Sequence, residues 1–510
     1  MDDAVAKLKS AYESVPYPHN YYAQTHLDRL AVTAIMAGIA PENPEKSRVL
    51  EIGCGSGGNL LPMAEQFPQS QFSGIDLSPR QIELGMQCLR ETGLANVELR
   101  SRDILDFPRN AGEFDFIIAH GVYSWVPAVV RDKLLTICRE HLSPAGLAFI
   151  SLNTYPGWKF RELARDLMMF HNRGVDDPAM LVPRGRDILF MMAEHTIDAG
   201  KYREALRSNY RGLQNVPENF ILHDHLEPVN EPRYFREFAR DFEGHGLSYV
   251  GDSATDYDPW IKISPTMRET FQQMAADPLD QEQYLDFLVG RVFRWTVLCR
   301  SEAAQSVRRG DLLHEAYVAG DFTEEPAGAD PQGKPGFKIK SGLQQLLISD
   351  PRPLAVLRRI RRAWPMGLPF SELVQTYRNQ LTVPIDEHQA FKDVELMVRT
   401  YFGYRLIEVM SRQPSVIAPS PGEYPKVSRY ARWAASRGSS VPSLRHISLN
   451  LNDALLRLVP LLDGTRNRKA IAEEIARSSS AEWPHENRNQ LEAGIETALN
   501  KLAEMQLLMN

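Results

Sequence analysis

Three carboxylates are spaced so that one extended, nucleotide-like ligand could meet all of them: Glu51, Asp76 and Asp103. Glu51 lies in the run RVLEIGCGSGGNLL, residues 48–61, two positions before Gly53 and four before Gly55. Gly53, Gly55 and Gly58 satisfy G-x-G-x-x-G, a spacing that lets a ligand approach the backbone where a strand turns into a helix. Glycines so placed serve dinucleotides and adenosyl ligands alike, and a tight turn needs some of them with no ligand at all. The acids tilt the reading toward an adenosyl ligand. A carboxylate at Glu51, where a hydride-transfer fingerprint is apolar, can hold an amine-bearing or cationic group. Asp76, 21 residues after Gly55, can accept hydrogen bonds from both ribose hydroxyls. Asp103 can accept from an adenine amino group while its neighbour Ile104 covers the ring.

Strand ends have to deliver such residues. SRVLEIG is a short apolar run stopped by glycine, and NLLPMAEQF carries apolar residues at helical spacing, which predicts strand, tight turn, helix. QFSGIDL predicts a second strand ending near Asp76. SPRQIELGMQCLRETG predicts a helix whose start is marked by Ser78 and Gln81 at capping-box spacing, with Pro79 in the first position. NVELRS, FDFIIAH and GLAFISL predict further strands, with RDKLLTICREHL as a helix between the last two. Asp103 then ends the third strand region and His120 the fourth strand. Strands alternating with helices predict an α/β fold with a doubly wound, mostly parallel sheet covered on both faces. Beyond residue 157 the pattern is helical to about residue 215, and GLSYVGDS and VFRWTVL predict two strands that complete the sheet.

Composition narrows the setting. A chain of 510 residues, 43% of them hydrophobic, can bury several cores, and two to four domains are expected. Lys and Arg total 58 against 65 Asp and Glu, and the net charge of −7 does not suggest a nucleic-acid partner. The opening MDDAVAKLKS lacks the cationic start and apolar core of a signal peptide, and no stretch approaches the ~18 unbroken apolar residues of a membrane span. A cytoplasmic protein with no membrane partner is expected. Cys54, Cys88, Cys138 and Cys299 stand far apart with no paired spacing, so reduced thiols and no metal site are expected.

The motifs VLEIGCGSGG, GIDLS, SRDI and FDFIIAHGVYSWV, in that order, resemble those of the class I S-adenosylmethionine-dependent methyltransferases. The resemblance implies S-adenosylmethionine as cofactor and a seven-stranded Rossmann-like sheet to bind it. Residue by residue, it implies that Glu51, Gly53 and Gly55 line the methionine end, Asp76 holds the ribose, Leu77 and Ile104 sandwich the adenine, and Asp103 meets its amino group. His120 would contribute mainly backbone to the methionine moiety. YESVPYPHNYY, HGVYSWV, NTYPGW, EPRYFREFARDFEGHGLSYVGDS and RVFRWTVLCR extend the similarity over most of the chain. Together they look like bacterial methyltransferases that carry a methyltransferase regulatory domain, among them the rickettsial lysine methyltransferases acting on outer-membrane proteins.

Methyl transfer from a sulfonium is an in-line displacement, so such an enzyme mostly aligns nucleophile and methyl group and excludes water. A lysine acceptor must also arrive neutral, which a desolvated aromatic pocket favours by lowering its pKa. Tyr17, Tyr22, Tyr123, Trp125, Tyr155 and Trp158 fall before the first predicted helix or just after strand ends, where they could form that pocket. The alternative is that they plug the core beneath an N-terminal helical lid. Tyr123 and Trp125 are the catalytic candidates, and Tyr17, Tyr22, Asn153 and Tyr155 are the candidates for substrate contact. NTYP at 153–156 is similar to the N-P-P-Y loop of amide and adenine methyltransferases, but it follows the fifth predicted strand rather than the fourth, so that role does not carry over. Asn153 is expected either to bond substrate or to cap the helix that starts near Trp158. Protein lysine side chains are the expected acceptor, with a small metabolite or RNA, or a non-catalytic cofactor-binding role, as alternatives.

The catalytic unit is expected over 1–303, with a helical insertion at about 157–230. The apolar runs LMMF and ILFMMAEH suit that insertion to a substrate cover, a homodimer surface or plain core packing. GDFTEEPAGADPQGKPG predicts an exposed linker, so that residues 1–303 would fold without the C-terminal part of the chain. Two smaller winged-helix-like α+β modules are expected at 304–410 and 411–510. The arginines at 358, 359, 361 and 362 are expected on a solvated helix face rather than against a nucleic acid.

Overall fold

Short runs of branched and aromatic residues, each stopped by glycine or a polar turn, pair into one seven-stranded sheet in the computed structural model. The structure describes residues 20–510 except 176, 198–199, 254–259, 261–262, 306–311, 330–334, 343, 382–384, 414–415, 439 and 478–487. The strands are β1 (Arg48–Ile52), β2 (Gln71–Asp76), β3 (Val97–Ser101), β4 (Phe114–Ala119), β5 (Leu142–Asn153), β6 (Leu247–Asp252) and β7 (Phe293–Arg300). Their order across the sheet is β3-β2-β1-β4-β5-β7-β6. Strands β1 to β5 run parallel to one another, and β7 lies antiparallel between β5 and β6. This is the mostly parallel, doubly wound α/β sheet expected from the sequence. Its strand order reverses between β1 and β4, and folds of this kind bind ligands in the crevice outside the carboxyl ends of the strands at such a point.

The central strands are apolar on both faces, as a doubly covered sheet requires: Val49, Leu50 and Ile52 on β1 and Phe116 to Ala119 on β4 are all buried. One face packs on helices Leu60–Gln66 and Pro79–Thr92 through Leu60, Leu61, Cys88 and Leu89. The other packs on helices Ala128–His141 and Phe235–Gly244 through Leu134, Leu135, Phe238 and Phe242. Each fully buried Leu or Phe contributes about 1.5–3 kcal/mol. Charge ties in the last two strands. Arg294 of β7 is fully buried and donates to Asp286 Oδ1 and Oδ2 at 2.8 and 2.9 Å, to Asp252 Oδ2 at 3.1 Å and to Glu282 Oε2 at 2.9 Å. It thereby joins β7 to the end of β6 and to helix Pro278–Val289.

Between β5 and β6 the chain forms helices Trp158–His171, Pro178–His195, Lys201–Leu213 and Glu218–His225 around a core of their own that includes Met168, Leu189, Leu206 and Ile221. Phe160, Phe170, Phe190 and Met191 stay exposed on them. After the large sheet, strands Tyr317–Ala319, Leu368–Pro369 and Glu408–Met410 pair into a small sheet accompanied by helices Pro351–Ala363, Phe370–Arg378 and Glu387–Gly403. A second small α+β module comes after it, with helix Arg429–Ala435 and a terminal helix, Arg488–Glu504.

One expectation changes. GDFTEEPAGADPQGKPG, expected as a linker, contributes strand Thr323–Ala329 and the start of strand Pro335–Ser341, which pair antiparallel. The second of these also pairs with Gln344–Ile348. Its Gly, Pro and acid content hid a strand alternation in which Phe337 and Ile339 interleave with Lys338 and Lys340. Residues 1–303 share one of their two sheet-face cores with the C-terminal module. Helix Arg429–Ala435 packs on the two helices Leu60–Gln66 and Pro79–Thr92, and Tyr430, Ala431 and Ala434 share an apolar cluster with Phe67, Cys88 and Leu89. The clustered arginines form ion pairs, Arg358 with Glu324, Arg359 with Glu372 and Arg361 with Asp321. The four cysteines are buried and free. Among the described residues, no helix is long and apolar enough to cross a membrane.

Candidate active site

Each of the three acids reaches the crevice because a strand ends beside it. Glu51 is the penultimate residue of β1, Asp76 is the last of β2, Asp103 follows β3 by two positions, and His120 comes directly after β4. Together they line one cavity of about 570 Å³, whose wall also includes Gly53, Gly55, Leu77, Ile104, Tyr22, Trp125 and Asn153.

The glycine turn is bare where the cavity meets it. Gly53 and Gly55 have φ values of +72° and +54°. A Cβ on Gly53 would lie 2.6 Å from Val122 Cγ2, whereas one on Gly55 would meet no atom within 4 Å, so that space is left for a ligand. Asp76 braces the turn: its Oδ2 accepts from the Gly55 N–H and its Oδ1 from the Ser78 N–H, both at 2.8 Å. Each oxygen keeps a lone pair for a ribose hydroxyl. Burial pushes the Asp76 carboxyl above the usual range, against the pull of those two N–H groups. Asp103 Oδ1 accepts from the Leu105 N–H at 2.9 Å, which opens the short turn Ile104–Asp106 and sets Ile104 on the cavity wall.

Glu51 is 3% exposed; its Oε1 accepts from Asn59 Nδ2 at 2.8 Å, and its Oε2 has no partner within the protein. Burial pushes its carboxyl up to about 8, with Asn59 pulling down and Asp76 adding to the rise. Other buried polar atoms on this wall also lack protein partners: both amide atoms of Gln81, His120 Nδ1 and Trp158 Nε1. An unsatisfied buried polar atom costs about 1–3 kcal/mol, so a wall that gathers several suits a polar ligand. The donor set fits S-adenosylmethionine, with the orphaned Glu51 oxygen for an ammonium, Asp76 for a ribose, and Leu77 and Ile104 for the two faces of an adenine.

The same cavity also carries aromatic side chains. Tyr22, Trp125, Trp158, Phe220, Phe293 and Trp295 line it, with Asn153, Arg161, His223 and Asp224 as polar groups. Trp158, Arg161, Phe220, His223 and Asp224 all come from the helical insertion. The Tyr22 ring lies 3.8 Å from that of His120, and burial lowers the His120 imidazole to about 4, so it is neutral at physiological pH. Burial raises the Asp224 carboxyl, with Arg161 opposing the rise. Asn153 Nδ2 donates to Asn230 Oδ1 at 2.9 Å.

Some residues singled out in the sequence lie elsewhere. Tyr123 is fully buried, its ring 4.7 Å from Phe238 and its hydroxyl donating to Asp241 Oδ2 at 2.7 Å, so its side chain belongs to the sheet core and not to the cavity wall. Tyr155 donates its hydroxyl to Glu162 and packs 5.1 Å from Tyr234, also off that wall. Asn153 does not cap the following helix, whose N-cap is Gly157. Tyr17 lies outside the described residues. The capping box at Ser78 is half made: Ser78 Oγ accepts from the Gln81 N–H at 3.3 Å, while the Gln81 side chain lines the cavity instead. Gln81 was thus hidden behind a capping signal. Arg161, Phe220, His223 and Asp224 carried no local signal, because only the fold of the insertion brings them to the crevice.

Three family models match the chain: "Methyltransferase domain" over residues 49–146, "Predicted methyltransferase regulatory domain" over 217–300, and "PKMT, C-terminal winged helix domain" over 423–507. A protein of Rickettsia prowazekii (strain Madrid E), named only as uncharacterized, is 36% identical over 231 residues, which is 45% of this chain and 92% of that protein. A second uncharacterized protein from the same organism is 29% identical over 474 residues, 91% of this chain and 85% of that one. The solved structure of PKMT2 from Rickettsia typhi in complex with AdoHcy is 26% identical and superposes with a TM-score of 0.81 over 97% of this chain and 100% of that one. The glycine loop and the strand-end acids fall within the first of those family matches and β6 and β7 within the second, and the chain belongs to the class I S-adenosylmethionine-dependent methyltransferases that carry a methyltransferase regulatory domain.

Proposed function

We propose that this methyltransferase modifies lysine side chains of a protein. The observation that carries the reading is the aromatic part of the cavity wall, which shares one cavity with the cofactor residues, takes Trp158 and Phe220 from the helical insertion and includes the acid Asp224. The likeness to PKMT2 across 97% of the chain supports it. When bound, S-adenosylmethionine supplies a sulfonium methyl group, which moves as the N–C bond to the acceptor forms and the S–C bond breaks, the sulfur keeping that electron pair.

The chain's own residues bind, align and exclude water. Glu51 Oε2 takes the ligand ammonium, Asp76 the ribose hydroxyls and Asp103 the adenine amino group. Trp125 and Trp158 narrow the aromatic part of the cavity to a slender side chain and keep water out, with Tyr22 and Asn153 as further substrate contacts. The apolar walls lower the pKa of an entering amine, and Asp224, on the same cavity wall, is a group able to receive its proton. The catalytic domain is taken as 1–303 and the two modules as 304–410 and 411–510. The exposed Phe160, Phe170, Phe190 and Met191 suit the insertion to a second copy of the chain.

The test incubates the protein with methyl-labelled cofactor and a native lysate. Label is expected in protein, on methyl-lysine by mass spectrometry. Label in RNA or in the small-molecule pool with none on lysine replaces this reading, and cofactor binding without any transfer leaves a binding protein.

A further inference from the structure

We propose that His446, from the C-terminal module, is a positioning residue for the cofactor pocket, acting through Asn59 on Glu51. The proposal rests on the reading that the cavity holds S-adenosylmethionine. Asn59 is the N-cap residue of helix Leu60–Gln66, a place where asparagine ordinarily gives its side-chain oxygen to a backbone N–H of the first turn. Here it makes no such bond. Its Oδ1 instead accepts from the Tyr22 N–H and the Thr25 hydroxyl, both at 3.1 Å, and from His446 Nε2 at 2.7 Å, the shortest of the three, while its Nδ2 donates to Glu51 Oε1 at 2.8 Å. The amide orientation is set by chemistry, since a backbone N–H can only face the oxygen. That turns Nδ2 toward Glu51 and requires the His446 proton to sit on Nε2.

The way His446 is delivered supports a dedicated role. Strands Val441–Pro442 and Ser448–Leu449 pair as a hairpin, and His446 lies in the loop between them with φ +61°, a conformation that glycine or asparagine adopts more readily. The loop is closed by hydrogen bonds from the His446 N–H to the Ser443 carbonyl and from the Ser443 N–H to the Ile447 carbonyl, both 2.9 Å. The imidazole is fully buried, with the His26 ring 5.7 Å away, the Tyr21 ring 6.2 Å away and the Arg29 charge nearby. Burial lowers it to about 3, so it is a neutral donor at physiological pH. A strained backbone in one module thus presents a single N–H to the residue that fixes one oxygen of Glu51. With Oε1 so held, Oε2 is the oxygen left for the ligand.

The relay addresses the methionine end of the ligand and not the adenosine end, and this separates positioning from general structural support. In the full-length protein, His446→Ala is expected to raise the calorimetric Kd for S-adenosylmethionine about tenfold, while the Kd for adenosine, which lacks the ammonium, stays within about twofold. His446→Gln keeps a donor and is expected to restore most of the loss. In methyl-transfer assays the cofactor KM should rise with kcat little changed. Equal weakening of both ligands would overturn the proposal in favour of a structural role, and so would unchanged S-adenosylmethionine affinity. Should His446→Ala fail to fold, Asn59→Asp carries the test: it keeps the acceptor for His446, removes the donor to Glu51, and is expected to lose S-adenosylmethionine but not adenosine. A wild-type protein that binds neither ligand would overturn the cofactor reading itself, and this proposal with it.

Discussion

Glu51, with its carboxyl pushed up to about 8 by burial, must give up a proton before it can hold an ammonium at neutral pH. Cofactor affinity is therefore expected to rise with pH toward about 8 and to fall again once the ligand ammonium loses its own proton, with proton release on the rising side seen by calorimetry in buffers of different ionisation heat. Glu51→Gln should weaken binding by about 1.5–3 kcal/mol and remove the slope. In the ligand-free protein, this raised carboxyl contributes stability that is full below the usual 4.5 and lost as the pH climbs through about 8, so the ligand-free Tm should fall across that window. Trp125→Ala is expected to slow methyl transfer about tenfold, ~1.4 kcal/mol of positioning, with cofactor affinity kept. Tyr123→Ala should instead cost about 3 kcal/mol or more of stability, read by denaturant unfolding. The two aromatics looked alike in the sequence. Residues two apart in a 3-10 turn such as Tyr123–Trp125 are rotated by about 240°, which sends one side chain into the core and the other to the cavity. The acids were legible because a strand end fixes where its last side chains go.

At the scale of elements, the strand signals held because the central strands of the large sheet are apolar runs closed by a turn and the edge strand Val97–Ser101 alternates apolar with charged residues. What stayed hidden was charge inside it. RVFRWTVLCR reads as a strand, but nothing in it says that Arg294 meets Asp252, Glu282 and Asp286 away from water. Asp286 is likewise fully buried, and without Arg294 the three carboxylates keep only Arg291, which pairs with Asp286 and Asp252 and does not offset all of their charge. Arg294→Ala is expected to destabilise the protein by about 3–5 kcal/mol, measured by chemical denaturation. Arg294→Lys should recover little, since one ammonium cannot serve three carboxylates in a fixed fork. The antiparallel pair Thr323–Ala329 and Pro335–Ser341 was missed for the opposite reason. Its strands lie among glycine, proline and acids, a composition that flexible connectors share.

For the whole molecule, the modules could be counted from the sequence but their packing could not, because an apolar helix face does not name its partner. Tyr430 and Ala434 are ordinary buried positions of a small helix, yet they cover Phe67 and Cys88 of the catalytic unit. A chain ending at residue 410 is therefore expected to expose that face and aggregate, as size-exclusion chromatography would report. A monodisperse, cofactor-binding product would argue instead for the independent unit expected from the sequence. The bond between His446 and Asn59 also carries a consequence for synthesis, because its partners are 387 positions apart. At ~5–20 residues per second, a ribosome that has made Asn59 translates for about 20–80 s more before it reaches His446. Nascent chains that stop short of residue 446 thus carry the glycine loop without this support, and on the proposed relay the pocket is completed only after His446 has been made.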